Sequence, residues 1–293
     1  MSEKIPSSVR NSLRQDISRL EDECFGDLPI MQQRMMKSHA MMANKDTYTY
    51  DPISPTKEID DTLLPDDSPQ TQMAQKLVDK IVKKMMNGNS AASKKLKDFM
   101  KDKKIKVHVL NRPDIDASCD GLDDKTNELH LSFCAGCFIY QKNAPDMANE
   151  DSFAVTVGHE IGHEIEHQNR SSKCSEQIIK HNTNGREVES FCDMFGLACA
   201  ASAGYNLQSY IDQCSAFEKQ ELEYRTQKGR IDEPHPLLSQ RKRLAQMAKQ
   251  AYHNDIEERA LFPEEITSME WCIPKEKQQT TQNNLQKDTS NTM

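Results

Sequence analysis

His159, Glu160 and His163 stand in the run His159-Glu160-Ile161-Gly162-His163. On an α-helix, residues four apart lie one above the other on one face, so both imidazoles can reach a single metal ion. Glu160 sits a little way around the cylinder, placed to act on a water at that ion without ligating it. Zinc lowers the pKa of such a water from about 15.7 to about 7, and a nearby carboxylate takes its proton as it attacks a polarised carbonyl. The chemistry these residues suggest is zinc-dependent hydrolysis. The pattern also arises by accident: with 9 histidines in 293 residues, about one such chain in fifty would carry it. The surroundings therefore decide.

Residues 149–168 (NEDSFAVTVGHEIGHEIEHQ) read as one amphipathic helix. Asn149 can cap it, and Glu150 and Asp151 suit the positive N-terminal end of the dipole. Ala154, Val157, Ile161 and Ile165 form an apolar stripe at spacings of three and four. His159 and His163 are expected on the opposite face, away from that core, whereas a histidine pair serving only packing would point inward.

A zinc site needs a third protein ligand and leaves its fourth position for water or substrate. His167 continues the histidine face, but eight residues at 1.5 Å each place it about 12 Å along the axis from His159. The metzincin solution, a glycine bend before a later ligand, is missing from Glu164-Ile165-Glu166-His167, so His167 is expected at the surface. Glu189 is the better candidate. A second helix is expected from near Arg186 to Ala203, closed by Gly204. Glu189 and Asp193 are four apart on one face of it, so the glutamate can ligate zinc while the aspartate accepts from the free ring nitrogen of a liganding histidine. Gly196, Ala198, Ala200 and Ala201 are small enough for close packing on the first helix. Taken alone, Glu189 would be an ordinary exposed carboxylate; the upstream motif changes its standing.

At these residues the chain resembles the HtpX-like, Oma-like and CAAX-prenyl-protease group of zinc metallopeptidases, which are gluzincins. Their pattern is HExGH, a helix with ExxxD followed by an AGY-type turn, and a downstream His-Pro with an arginine. Here it reads His159 to His163, Glu189 to Asp193, Ala203-Gly204-Tyr205, then His235-Pro236 and Arg241. The resemblance covers about half the chain, from near Lys104 to near Tyr252. It implies zinc ligands His159, His163 and Glu189, Glu160 as general base and Asp193 as orienter. It also implies that His235 and Arg241 stabilise the oxyanion of a tetrahedral intermediate, where donors must point at developing charge. Without the resemblance, residues from Leu237 to Tyr252 read as a helix opened by Pro236, with a solvated basic run at Arg241-Lys242-Arg243.

Short strands are expected at Lys106–Leu110 and Glu128–Ser132. Zincins similar to this chain carry a strand at the rim of the cleft, where an extended peptide can add through main-chain hydrogen bonds. That implies a polypeptide substrate. The stretch Asp116-Ala117-Ser118-Cys119, where the family has an Asn-Ala-Phe-like segment, is degenerate.

Net charge is −8 with no sustained basic stripe, which argues against nucleic acid as a partner. No run of about 18 apolar residues is present and the N-terminus lacks an apolar signal core, so no transmembrane segment is expected. This departs from the family, whose best-known members are embedded in membranes or carry an export signal. Nine cysteines without such a signal suggest reduced thiols and a soluble, cytoplasmic protein. Export as an effector without an N-terminal signal is the alternative. Cys134-Ala135-Gly136-Cys137 is a lone CxxC, read as thiols in a turn after a strand.

Residues 1–70 have a different texture. Met31, Met35, Met36, Met41 and Met42 crowd one expected helix, followed by a Pro- and acid-rich linker. A methionine face can dock a regulatory partner or inhibit the cleft, and more often it is an ordinary hydrophobic face. From Thr71, the spacing of Ala74, Leu77, Val78, Ile81, Val82 and Met85 predicts a helix, followed by a lysine-rich one from Ser90 to about Lys103. Residues 275–293 are polar and expected to be disordered.

The expectation is a mostly helical α+β, zincin-like metallopeptidase domain over residues 71–274. One zinc would lie between two roughly perpendicular helices, with a small sheet lining the cleft. The function expected is zinc metalloendopeptidase. The alternatives are another gluzincin branch, the regulator-cleaving metallopeptidases linked to toxin–antitoxin and phage systems, and a catalytically silent binding protein of the same fold. His235-Pro236 with Arg241 argues against the first, and the intact Glu160 against the second.

Overall fold

The computed structural model describes residues 63–112, 115–138, 149–173, 185–228, 236 and 238–271. The expected methionine-dense helix, the linker up to residue 62, the polar tail and His235 lie outside the described residues.

Capping and apolar spacing together set the first helices. Ser68 accepts a hydrogen bond from the Thr71 amide at 3.2 Å, and Pro69 opens α1 (Pro69–Met85) where its missing N–H costs nothing. Ala74, Leu77, Val78, Ile81, Val82 and Met85 are all buried, as their spacing predicts. Ser90 caps α2 (Ala91–Phe99) through the Ser93 amide, and the helix stops at Met100, short of the expected Lys103.

Three strands follow: β1 (Lys104–Leu110), β2 (Ala117–Asp123) and β3 (Glu128–Cys134). Their order is β1-β3-β2, with β1 parallel and β2 antiparallel to β3, a small mixed sheet. Val107, Val109, Leu129, Leu131 and Phe133 form its buried face. The chain enters along the outer side of β1, where Leu63 bridges Leu110 and the Leu64 amide reaches the Val109 carbonyl at 2.8 Å. Leu64 is buried, so the folded unit begins before Thr71. β2 includes the stretch from Ala117 that was read as degenerate against the family's segment, and no strand was assigned there. Its Ser, Asp and Gly have poor strand propensity, and it bulges between Cys119 and Gly121, the latter at φ +100. The ladder to β3 forms it.

Two helices make the centre. α3 (Glu150–Lys173) is capped by Asn149, whose Oδ1 accepts from the Ser152 amide at 2.9 Å. α4 (Gly185–Ser202) ends at Gly204, φ +77, with the Tyr205 amide bonded back to the Ala200 carbonyl. A Cβ on Gly158 would lie 2.7 Å from Gly196 Cα, and one on Gly196 would lie 2.5 Å from the Val155 carbonyl oxygen and 2.8 Å from the His159 nitrogen. One turn on, a Cβ on Gly162 would lie 3.1 Å from Cys192 Cα. Residue numbers rise along α3 as they fall along α4, so the helices run antiparallel over these turns. The glycine seam lets the two backbones approach closely. Gly196→Val is expected to destabilise the protein at the upper end of about 1–3 kcal/mol. A urea midpoint equal to wild type would contradict the seam.

The remaining elements clamp this pair. Asn206 caps α5 (Leu207–Lys228) through the Gln208 amide, and α6 (Leu238–Ala251) packs on α5 and α4. Buried Asp151 accepts from the amides of Asn206 at 2.9 Å and Ala260 at 2.6 Å. The chain then passes through the short α7 (Glu264–Thr267) to Trp271, which stacks on Phe138 with ring centroids 4.3 Å apart. Among the described residues no helix is long and apolar enough to cross a membrane.

Candidate metal centre

The antiparallel seam brings His159 and His163 of α3 against Glu189 of α4. His159 Nε2 lies 3.1 Å from His163 Nε2 and 3.1 Å from Glu189 Oε2, and His163 Nε2 lies 3.7 Å from Glu189 Oε1. Nitrogen and oxygen ligands at 2.0–2.1 Å from a tetrahedral zinc stand about 3.3 Å apart, so these separations suit one small divalent ion. Two imidazoles and a carboxylate are also a donor set that borderline divalent metals accept. Among the described residues, this is the one group of three such side chains whose donor atoms converge within 4.8 Å.

The face opposite the apolar stripe, where the two histidines were expected, is the one that α4 covers. His159 is only 4% exposed, because α4 covers that face of α3, while His163 is half-buried. Burial of His159 is acceptable because both of its ring nitrogens meet a partner. His159 Nδ1 donates to Asp193 Oδ1 at 2.9 Å, which leaves Nε2 facing Glu189 and His163. Burial alone would push the His159 pKa down, but hydrogen bonds to Asp193 and Glu189, helped by the charges of Asp193 and Glu160, hold it at about 10. Carboxylates thus crowd one imidazole and create a field that favours positive charge. To hold a divalent ion, His159 would have to give up that proton, because a liganding histidine must be neutral.

Asp193 is 1% exposed, and its carboxyl stays at about 2. Burial opposes that ionisation, and the Arg241 guanidinium and His159 overcome it. Arg241 reaches from α6: its Nε and Nη2 donate to the same Asp193 Oδ1, at 3.0 Å and 2.6 Å. The resemblance implied a place for Arg241 at a substrate oxyanion; its guanidinium instead meets the carboxylate behind His159. Nothing in the sequence could have shown this, since the basic run looks like a solvated helix face.

Glu160 is buried and is not part of the converging group. Its charge acts on His159, on Cys119 of β2 and on Cys192 of α4. Burial first, then the carboxylates of Glu160 and Glu164, push the Cys119 thiol to about 12, so it stays protonated at neutral pH. His167, with a side chain 75% exposed, lies away from the cluster, 4.0 Å from Glu164 Oε2. Cys134 ends β3 and Cys137 lies in the 3-10 turn after it; both are buried, and the Cys137 thiol donates to the Asp116 carbonyl at 3.1 Å.

Gly158, the residue before His159, was not among the expected site residues, yet its missing side chain admits α4. The repeat Gly158-x-x-x-Gly162 was the available signal: two glycines four apart make a flat stripe on one helix face. No protein-family model matches the chain, and no curated protein matches it significantly.

Proposed function

We propose that the chain is a zinc-dependent metalloendopeptidase. The observation that carries this reading is the convergence of His159 Nε2, His163 Nε2 and Glu189 on one point, with Asp193 fixed behind His159. The order of motifs shared with the HtpX-like and Oma-like gluzincins supports the same assignment, including a zincin-like arrangement of the two helices.

When bound, zinc supplies Lewis acidity, polarising a peptide carbonyl and lowering the pKa of a water to about 7. The chain does the rest. His159, His163 and Glu189 hold the ion, and Asp193 keeps the Nδ1 proton of His159 in place. Glu160 accepts a proton from the attacking water at its carboxylate and returns it to the leaving amine nitrogen, a general base turned general acid. Arg241 is committed to Asp193, so the oxyanion donor in this reading is His235. The substrate is an extended polypeptide. β2 lies beside α3, and among the described residues no strand pairs with its outer side, so its main chain can add a further strand.

Casein or a quenched peptide mixture is expected to be cleaved by the zinc-loaded chain. A chelator such as 1,10-phenanthroline should abolish that cleavage and added zinc should restore it. Cleavage that survives complete metal removal would overturn the mechanism. Zinc-loaded protein that cleaves no peptide would overturn the function.

A further inference from the structure

We infer that Arg241 is a positioning residue for the metal: it sets the affinity of the centre by locking the carboxylate that orients His159. This rests on the metal reading above and extends it to a residue on a third helix. The geometry is a three-part chain from α6 through α4 to α3. Arg241 Nε and Nη2 and His159 Nδ1 all donate to one oxygen, Asp193 Oδ1, at 3.0, 2.6 and 2.9 Å.

A carboxylate that accepts only from an imidazole can rotate about its Cβ–Cγ bond and trade one oxygen for the other. Two further donors from a rigid guanidinium fork leave Asp193 Oδ1 one place to be. The Oδ2 atom is buried and makes no hydrogen bond among the described residues, so the bonds that set the orientation there all fall on Oδ1. Arg241 is itself held. Its side chain is 21% exposed, and the guanidinium carbon lies 6.0 Å from the ring centre of buried Tyr210 on α5. The α5–α6 pair thereby fixes Arg241, Arg241 fixes Asp193, and Asp193 fixes the imidazole ring plane.

An arginine serving the oxyanion would have to aim at the substrate side of the ion, opposite the ligand's back. Here both donating atoms face Asp193, behind His159. The two roles separate in measurement. A positioning arginine alters metal affinity in the absence of any substrate. An oxyanion donor alters turnover and leaves the metal alone.

The test is the zinc dissociation constant of the full chain, measured by competition with a chromogenic chelator, for wild type, Arg241→Met, Arg241→Lys, Asp193→Ala and the Asp193→Ala/Arg241→Met double variant. Far-ultraviolet dichroism reports whether each is folded. Loss of a group that orients a liganding histidine costs about 10–100-fold in metal affinity, so Arg241→Met is expected to bind about tenfold more weakly or worse. Arg241→Lys, which keeps the charge without the fork, should recover only part of this. With Asp193 gone, removing Arg241 should weaken binding no further. The d–d spectrum of the cobalt-substituted protein should shift in Arg241→Met as the ligand sphere relaxes. Arg241→Met with wild-type affinity and spectrum would overturn the inference, as would a double variant in which the two losses add in full. Should Arg241→Met fail to fold, Arg241→Lys decides: undiminished affinity there overturns the inference. Wild type that binds no divalent ion would overturn the metal reading beneath it instead.

Discussion

Glu160→Gln protein is expected to carry as much zinc as wild type and to cleave casein about 10²–10⁴-fold more slowly, the range general acid–base catalysis contributes. The substitution keeps the side chain's size and one oxygen, so the buried position is still filled. What it removes is the ability to take a proton. The donor atoms that converge belong to His159, His163 and Glu189 and do not include Glu160, which is why metal content should not change. Single-turnover cleavage with parallel metal analysis checks both halves. Zinc lost together with activity would make Glu160 a ligand, and unchanged turnover would remove it from the chemistry.

Glu189→Ala is expected to lose the ion. Four-ligand zinc sites bind with about 10–16 kcal/mol, so one protein ligand is worth about 3 kcal/mol, more than a hundredfold in Kd. The carboxylate also faces His159 Nε2 at 3.1 Å, and its removal leaves the two imidazoles as the only nearby donors of the group. His167→Ala is the control, because its exposed ring stands outside the cluster, and it should retain one zinc per chain. Equal zinc in both variants would mean the third ligand has been misassigned.

How much of this was readable before the fold depends on range. The helix carrying His159 and His163 was legible because its cap, acidic first turn and apolar stripe are local signals, and they all point to one helix. Glu189 and Asp193 were legible as one helix face for the same reason. What could not be read was how the two faces meet. That a second helix packs on the histidine face was expected from its small residues, but nothing in residues 149–168 says how deeply α4 buries His159. The antiparallel pairing depends on Gly158 meeting Gly196, a contact between residues 38 positions apart. β2 was missed because its residues disfavour a strand and only the neighbouring β3 makes one of them. α5 was not foreseen either, although Leu207, Tyr210, Ile211, Cys214 and Phe217 stand at helical spacing and are all buried. Arg241 needed the most context, since its partner is buried two elements away.

Anomalous diffraction at the zinc edge, from crystals of the zinc-loaded protein, tests the central claim most directly. One strong peak is expected about 2.0–2.2 Å from His159 Nε2, His163 Nε2 and a Glu189 carboxylate oxygen, with Asp193 still bonded to His159 Nδ1. A peak held by other residues, or no peak in protein that has been given zinc, would contradict it.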